Sequence, residues 1–365
     1  MSGYARAVNT PVPFLWLCGP SGVGKSTVGW EIFRQLARAG SATAYVDADQ
    51  LGLCYPAAAG DRDNHRIKAR NLGAVWAAFR AAGVDSMILS GGVDSAQLVE
   101  ADNLDRLDFA ELCVDTDGLS AVEVARLVRE RAGGWPAPSD TQVTRAAGPC
   151  DVPAAATVAG DPVPVLLLCG PTAVGKSTVG YEIFTRVRTR IKAAYVDLAQ
   201  IGFCMPTPLD DPGNHRFKAA NLAAMWPAFR DAGARCLVVT GRVNDADAIR
   251  AYADALPAMT LTVCRLHAGG EALADRILRR GCGDGPAIVG DELRGQPPAR
   301  LHQVAGHAAR DADDLQRAQI GDLWVDTDGR SVEDVAGLVI AMTAGWPHLT
   351  SPHVPDRSPV ETTAT

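Results

Sequence analysis

The sequence contains little lysine. Of the 35 lysine and arginine residues in the 365-residue chain only five are lysines, at positions 25, 68, 176, 192 and 218. Arginine fills nearly every other basic position, so the remaining lysines mark places where a compact ammonium group is wanted. A codon bias towards arginine would also reduce lysine, but it would not select these positions.

The sequence also lacks a long apolar run, a hydrophobic leader and any C-x-x-C pair. Its apolar runs are a handful of residues long, far short of a membrane span, and Pro11 and Pro13 stand where a signal region would lie. The nine cysteines are odd in number and several lie in apolar runs, which favours buried thiols over a disulfide framework. We therefore expect a cytoplasmic protein with no membrane partner.

Excess positive charge is absent as well. The formal net charge is −7 and the isoelectric point is about 5.5, so the chain is not suited to neutralising a nucleic-acid backbone. A local basic pocket for a small phosphate ligand stays open. The length predicts about two domains.

The chain repeats itself, which is more informative than any single motif. Four segments recur, and each copy ends in Gly-Trp-Pro: 19–27 matches 170–178, 44–47 matches 194–197, 64–72 matches 214–222, and 114–118 matches 325–329. Lys25 thereby matches Lys176, and Lys68 matches Lys218. We predict a first domain at 12–136, a Pro- and Ala-rich linker at 137–163, a second domain at 164–347 and a disordered tail at 348–365.

Each copy carries a complete G-x-x-x-x-G-K-[ST] motif, the P-loop, between an apolar run and an amphipathic segment. Its glycines allow backbone N–H groups to surround phosphate oxygens at a helix N-terminus. Lys25 and Lys176 are expected to contact the β- and γ-phosphates, while Ser26 and Ser177 ligate Mg²⁺. The predicted nucleotide-binding residues are Gly19, Gly22, Gly24, Lys25, Ser26, Thr27, Gly170, Gly175, Lys176, Ser177 and Thr178.

Strand-like and helix-like segments alternate within each copy. In the first copy strands are expected at 14–18, 42–47, 86–90 and 112–115, with helices at 26–39, 65–82 and 120–131. This alternation predicts an α/β fold of two tandem P-loop domains, each with three layers and a parallel sheet that binds ligands at the carboxyl ends of its strands.

The first copy is shorter than the second. From Ser90 to Trp135 there are 45 residues, whereas the matching interval from Thr240 to Trp346 spans 106, so 61 are missing. The missing part corresponds to a predicted strand at 259–266, a predicted helix at 273–280 and a looser stretch at 281–309. We expect the first domain to lack this fourth-strand and lid region.

The end of the third strand carries no aspartate, which argues against a motor-type ATPase. The available acids follow the second strand: Asp47 and Asp49 in the first copy, but only Asp197 in the second, where Ala199 replaces the other. Together with the P-loops, these features resemble the small-molecule P-loop kinases, the group of adenylylsulfate, shikimate, gluconate and chloramphenicol kinases.

The resemblance covers most of 12–135 and 163–346 and implies ATP with Mg²⁺. It implies that Asp47 or Asp197 serves as general base or metal organiser, although a carboxylate there could instead cap the next turn. It implies that the glycine turn after the third strand lies beside the acceptor, at Gly91, Gly92 and Arg242. It also implies lid arginines, for which Arg276, Arg279 and Arg280 are candidates, a solvated helix face being the alternative.

A repeated Asn-His-Arg-x-Lys-x-x-Asn element lies outside that resemblance. Its polar face follows the acceptor side, which predicts acceptor binding by Arg66, Lys68, Arg216 and Lys218, with Asp49 nearby. A pseudo-twofold contact between the domains would also explain the element. The histidines in it are expected to be packed or capping residues.

The leading hypothesis is a phosphotransferase that transfers the γ-phosphoryl group of ATP to a small molecule, with the second copy as the complete kinase. Its expected catalytic residues are Lys176, Asp197, Arg276, Arg279 and Asp47. The alternative is a nucleotide-binding switch or scaffold that hydrolyses ATP slowly and regulates a partner. The expected partners are a small-molecule acceptor, a paired domain within the chain and a further copy in a homo-oligomer, and no nucleic acid.

Overall fold

The computed structural model describes residues 13–92, 111–136, 162–207, 211, 213–285 and 288–347. The predicted linker and tail therefore lie outside the described residues, apart from the last two linker positions.

The first half forms a small α/β unit around three parallel strands. The apolar runs that predicted strands become β1 (Phe14–Leu17), β2 (Thr43–Asp47) and β4 (Ser86–Ser90). Every residue of β2 and β4 is buried, as expected for a parallel sheet covered on both faces. Among its described residues the half also contains a short strand β3 (Cys54–Tyr55), a 3-10 helix (Ala48–Gly52) and three α-helices: α1 (Lys25–Arg38), α2 (His65–Ala81) and α3 (Ala121–Arg131).

The second half repeats this order and adds to it. Its strands are β5 (Val163–Cys169), β6 (Ala193–Asp197), β7 (Cys204–Met205), β8 (Cys236–Thr240), β9 (Met259–His267) and β10 (Leu323–Asp326). Its helices are α4 (Lys176–Val187), α5 (His215–Asp231), α6 (Ala246–Ala255), α7 (Gly270–Gly281), α8 (Pro298–Arg317) and α9 (Val332–Met342).

Two sheets result, with strand orders β1-β4-β2-β7 and β10-β9-β5-β8-β6-β3. All pairings within one half are parallel, so the carboxyl ends of the strands lie along one edge of each sheet. Both P-loops follow strands at that edge, and Asp47 and Asp197 are the last residues of β2 and β6 there. The expected α/β fold with parallel sheets is confirmed.

Each sheet also contains one strand from the other half of the chain. In the first sheet β7 pairs antiparallel with β2, with Met205 opposite Thr43 and Cys204 opposite Ala44. In the second sheet β3 pairs antiparallel with β6 in the same register, with Tyr55 opposite Ala193 and Cys54 opposite Ala194. The two halves therefore exchange equivalent strands.

The matching helices α2 and α5 also contact each other. The rings of Phe79 and Phe217 lie 4.9 Å apart between centroids, and Arg70 on α2 forms a 2.7 Å ion pair with Asp231 at the end of α5. Buried residues of both halves belong to one continuous apolar core. The repeated helix is thus an internal contact surface.

Two sequence predictions about local structure are wrong. No strand forms at 112–115; its counterpart β10 pairs with β9, and in the described part of the first half no strand stands in the place of β9. The stretch 281–309 is not loose throughout, because α8 begins at Pro298 and runs for 20 residues. Proline is favoured at a first helical position, where no N–H partner is lost.

Within the described ranges, no helix is both long and apolar enough to cross a membrane. The eight cysteines described are free thiols.

Candidate functional site

The two P-loops have the backbone geometry that phosphate binding requires. Gly24 and Gly175 adopt left-handed φ angles of 86° and 101° directly before α1 and α4, a conformation that glycine adopts without strain. No side chain caps the N-terminus of either helix, because the residue at the cap position is a glycine. The first-turn N–H groups are thereby left to bind an anion. At Gly170 a Cβ atom would lie 2.5 Å from the Leu266 carbonyl oxygen, so the loop also packs against the end of β9.

The P-loop lysines fold back over their own loops. Lys25 Nζ donates to the carbonyl oxygen of Pro20 at 2.7 Å, and Lys176 Nζ to that of Pro171 at 2.7 Å. Burial lowers the pKa of Lys176 to about 8, although the negative charge of Asp197 opposes the shift. Arg242 and Arg280 also lower this pKa, which places both guanidinium groups within electrostatic range of the lysine.

The strand-end aspartates contact the P-loop serines in both halves. Ser26 Oγ donates to Asp47 Oδ2 at 3.0 Å, and Ser177 Oγ donates to Asp197 Oδ2 at 2.6 Å. The other carboxylate oxygen of each aspartate accepts the N–H two residues later, at 3.0 Å in both halves. Each carboxylate therefore caps the following turn and faces the P-loop at once. The turn-capping role is thus observed, while the role as general base or metal organiser stays a prediction.

This hydroxyl and carboxylate pair fits a magnesium ion. Mg²⁺ prefers hard oxygen ligands and usually combines one or two protein groups with phosphate oxygens and water. Burial raises the pKa of Asp47, and its bond to Ser26 opposes that rise. Among the described residues no group of three His, Cys, Asp or Glu could hold a metal by itself. A metal here would need the nucleotide phosphates as further ligands.

A buried tyrosine supports each pair, and the sequence analysis missed it. The Tyr45 hydroxyl lies 2.5 Å from Ser90 Oγ, which in turn lies 3.4 Å from Ser26 Oγ. In the second half the Tyr195 hydroxyl lies 3.0 Å from Thr240 Oγ1 and 3.3 Å from the Ser177 carbonyl oxygen. The repeated Ala-Tyr-Val-Asp segment was a signal for this role. Tyr45 connects β2 with β4 and the first P-loop. Tyr195 connects β6 with β8 and the second P-loop.

The glycine turn after β4 or β8 packs against the residue that follows the strand-end aspartate, and its predicted place beside an acceptor stays a prediction. A Cβ atom at Gly91 would lie 2.7 Å from the Ala48 Cβ, and one at Gly241 would lie 2.7 Å from a Leu198 methyl carbon. Gly92 faces open space, with nothing near an added Cβ. Its counterpart Arg242 forms a 2.6 Å ion pair with Asp311 of α8.

The repeated Asn-His-Arg-x-Lys-x-x-Asn element divides into structural and site-facing residues. Lys68 Nζ forms a 2.7 Å ion pair with Asp49, whereas Lys218 Nζ donates to the Gly213 carbonyl oxygen at 2.8 Å. Arg66 and Arg216 have exposed side chains, and each donates its backbone N–H to the carboxylate of Asp61 or Asp211. The predicted role of these four residues in acceptor binding stays a prediction.

The asparagines of the same element hold the exchanged strands. Asn64 is fully buried and donates to the carbonyl oxygens of Gly52 and Cys54 at 2.9 and 2.8 Å. Asn71, also fully buried, donates to that of Leu51 at 2.7 Å. The matching residues of the second half make the same contacts: Asn214 to Gly202 and Cys204, and Asn221 to Ile201. The asparagines therefore do not present a polar face to an acceptor.

The three candidate lid arginines on α7 have different surroundings. Arg276 donates to the hydroxyl and the carbonyl oxygen of Thr327, at 2.9 Å each, and reaches the P-loop carbonyl of Val174 at 3.5 Å. Arg279 pairs with Asp275 on the exposed face. Arg280 lies 2.8 Å from Asp291 and is the one within electrostatic range of Lys176.

The turn after β10 contacts the start of α7. Asp328 Oδ2 accepts the N–H of Gly269 at 2.7 Å, and the Thr327 hydroxyl donates to the His267 carbonyl oxygen at 2.9 Å. Through Thr327, Arg276 ties this turn to the P-loop. The second half therefore surrounds its P-loop on a side where the described part of the first half has no helix.

Comparisons with known proteins find similar chains among solved structures. No family model and no curated protein sequence matches. Several solved structures do match. The tunicamycin resistance protein of Deinococcus radiodurans is 18% identical to this chain with a TM-score of 0.34, and the match covers 50% of this chain and 95% of that protein. A gluconokinase from Sinorhizobium meliloti 1021 is 16% identical with a TM-score of 0.33, and the match covers 49% of this chain and 91% of the gluconokinase.

The adenylylsulfate (APS) kinase CysC of Mycobacterium tuberculosis, solved with AMPPNP and APS, is 17% identical with a TM-score of 0.29, covering 50% of this chain and 99% of its own. Each of these structures thus corresponds to about half of this chain. At such identities and TM-scores the likeness says nothing about activity.

Proposed function

We propose that the protein binds ATP with Mg²⁺ and transfers the γ-phosphoryl group to a small hydroxyl compound. The observation that carries the proposal is the contact of Ser177 with Asp197 beside Lys176 at the start of α4. The P-loop with its lysine, the serine hydroxyl and the strand-end carboxylate thereby lie together, which supports the proposal. Phosphoryl transfer requires mainly such positioning and positive charge.

In the proposed reaction the acceptor hydroxyl oxygen attacks the γ-phosphorus and the bond to the β-phosphate oxygen breaks. The products are ADP and a phosphate monoester, and the hydroxyl proton passes to Asp197 Oδ2 and then to solvent. Mg²⁺, held by the Ser177 hydroxyl together with phosphate oxygens, would supply positive charge to those phosphate oxygens. Lys176 would bind the same oxygens, and the helix N-terminus would orient them.

The second half is the better candidate for catalysis. Its P-loop lysine lies within range of the guanidinium groups of Arg242 and Arg280. The described part of the first half has no counterpart of α7, α8 or β9. A site open to water supplies weaker electrostatic stabilisation, because solvent screens each charge.

A switch or scaffold that hydrolyses ATP slowly is the second candidate. The observation in its favour is the ion pair of Arg242 with Asp311, since it ties the acceptor side of the second half to α8. An arginine held in this way would not be free to bind an acceptor.

We further propose that residues 12–136 and 164–347 are two domains paired about a pseudo-twofold axis. The reciprocal exchange of β3 and β7 and the contact between α2 and α5 support this arrangement. Identical surfaces meet readily across a twofold axis. We place the paired unit in the cytoplasm.

Measurement of ATP turnover tests the function. The full-length protein is incubated with Mg·ATP and each member of a panel of small hydroxyl compounds, and both ADP and phosphorylated product are quantified. We expect one compound to stimulate ADP release with an equal amount of phosphorylated product. Slow ADP release that no compound stimulates, matched only by inorganic phosphate, would favour the switch. Absence of nucleotide binding would overturn both candidates.

A further inference from the structure

The internal duplication provides a control for each site, because matching positions can be compared within one chain. In the ten residues that begin with the strand-end aspartate, 47–56 in the first copy and 197–206 in the second, the copies differ at one charged position: Asp49 in the first is Ala199 in the second. Asp49 Oδ1 lies 2.7 Å from Lys68 Nζ. Lys218, the counterpart of Lys68, has no such carboxylate at position 199.

Among the described residues, the ammonium of Lys218 has one hydrogen-bond partner. It donates to the Gly213 carbonyl oxygen at 2.8 Å, and no ion pair to it is found among the described residues, although an ammonium has three N–H donors. Its stem lies close over Gly202, where a Cβ atom would be 2.3 Å from the lysine Cε. The packing therefore fixes the stem, and burial of the group lowers its pKa.

The carboxylates on this side of the second site bond to other groups and form no direct contact with Lys218 among the described residues, although the charges of Asp197 and Asp211 oppose the fall of its pKa. Asp197 accepts from Ser177 and from the N–H of Ala199, and Asp211 accepts from the N–H groups of His215 and Arg216. Asp245 also lies within electrostatic range of His215. Its carboxylate accepts a hydrogen bond from the N–H of Ala248 at the start of α6.

A second difference adds positive charge. Gly92 of the first copy is Arg242 in the second. Its guanidinium is paired with Asp311 and is 55% exposed, yet it still lowers the pKa values of Lys218 and of His215. Two matched positions around one lysine thus change towards positive charge, in the half that has α7 and α8.

We infer that the second site takes an acceptor that carries an anionic group, a carboxylate, a sulfate or a phosphate, and that Lys218 binds this group. The inference rests on the proposed function and names the chemical class of its acceptor. The first site does not share the preference, because Asp49 neutralises its lysine.

Calorimetry on the full-length Lys25→Ala variant tests the inference, since only the second P-loop then binds nucleotide. With that loop saturated by Mg·AMPPNP, acetate, sulfate and inorganic phosphate are titrated in turn as probes for the three anions. We expect at least one of them to bind at one site per chain, and the three arms show which group is preferred. Failure of all three to bind at millimolar concentrations would overturn the inference.

Two further variants separate the anion site from folding. Ala199→Asp places at an exposed position the carboxylate that the first copy carries; it should weaken anion binding about tenfold to a hundredfold, the range for a charged hydrogen bond. Lys192→Met, a change before β6 at the end opposite Asp197, should leave anion binding unaltered. Both variants should bind AMPPNP like the parent. Unchanged anion binding in Ala199→Asp would also overturn the inference.

Glycerate and glycerol distinguish failure of the inference from failure of the proposed function, since they differ by a carboxylate. If glycerol or another neutral hydroxyl compound is phosphorylated at least as well as its anionic partner, the inference falls while the kinase proposal stands. If the parent protein does not bind AMPPNP, the proposed function itself fails.

Discussion

The backbone N–H of Tyr45 donates to the carbonyl oxygen of Phe203 at 3.0 Å, across the two halves of the chain. The side chain of Tyr45 reaches Ser90, beside the P-loop serine. Tyr195 makes the reciprocal bond to Leu53 at 2.8 Å. Each half therefore helps to hold the tyrosine that supports the other half's P-loop.

This exchange predicts that the two halves unfold together. Phe203 packs on Trp30, with ring centroids 4.6 Å apart. Phe203→Ala should lower the free energy of unfolding by about 2–4 kcal/mol, because it removes a large side chain from a packed aromatic cluster. Chemical denaturation followed by tryptophan fluorescence should show a single transition shifted as a whole. The control variant Met342→Ala, at an exposed position, should leave the midpoint of the transition unchanged. Two independent transitions would contradict the prediction.

Both P-loops should bind a nucleoside triphosphate with Mg²⁺. Lys25→Ala and Lys176→Ala should each remove one binding event in calorimetry, since each deletes an ammonium that contacts phosphate. A double variant that binds ATP like the parent would show that the loops do not hold the phosphates.

Nucleotide binding at the second site should weaken above pH 8. The pKa of Lys176 is lowered to about 8, so the free site holds its proton below that pH and loses it above. Because phosphate binding requires the charged form, ATP should bind with proton uptake at pH 9 and without it at pH 6.5. The apparent affinity should fall by up to about tenfold per pH unit above 8.

Calorimetry of the Lys25→Ala variant in buffers of different ionisation enthalpy measures this uptake. Lys176→Arg on the same background is the control, because arginine keeps its charge throughout and should show no uptake. Uptake that is equal at pH 6.5 and pH 9 would refute the prediction.

Turnover should depend on α7 and on the second P-loop. Arg276→Ala should reduce turnover about tenfold or more, since it releases Thr327 from the P-loop, while nucleotide affinity stays within about tenfold. Arg317→Ala, an exposed arginine on α8, should have no effect. Lys25→Ala should keep most of the activity. Activity lost with Lys25→Ala but kept with Lys176→Ala would identify the first site, with Asp47 and Asp49, as the catalytic one.

The sequence predicted the local elements better than the contacts between them. The P-loops, the strand-end aspartates and the helices that follow are encoded by short motifs and by periodicity, so they could be located in advance. The two-residue strands β3 and β7 could not, because a strand this short has no period and exists only through its partner in the other half. For the same reason the sequence did not reveal that Asn64 and Asn71, in the element predicted to bind an acceptor, bond to the backbone beside β3.

The exchanged strands have a consequence for how such a chain could have arisen. An ancestor with one copy would have left the edge of its sheet beside β2 unpaired, unless a second molecule supplied the missing strand. A symmetric dimer of single-copy chains satisfies that need, and gene fusion would have preserved it. Once the copies were joined, one could lose its lid region while still lending its strand, and each could vary at Asp49 or Ala199 independently. Two copies can diverge separately in this way only when they are joined in one chain, because identical subunits of a dimer share a single sequence.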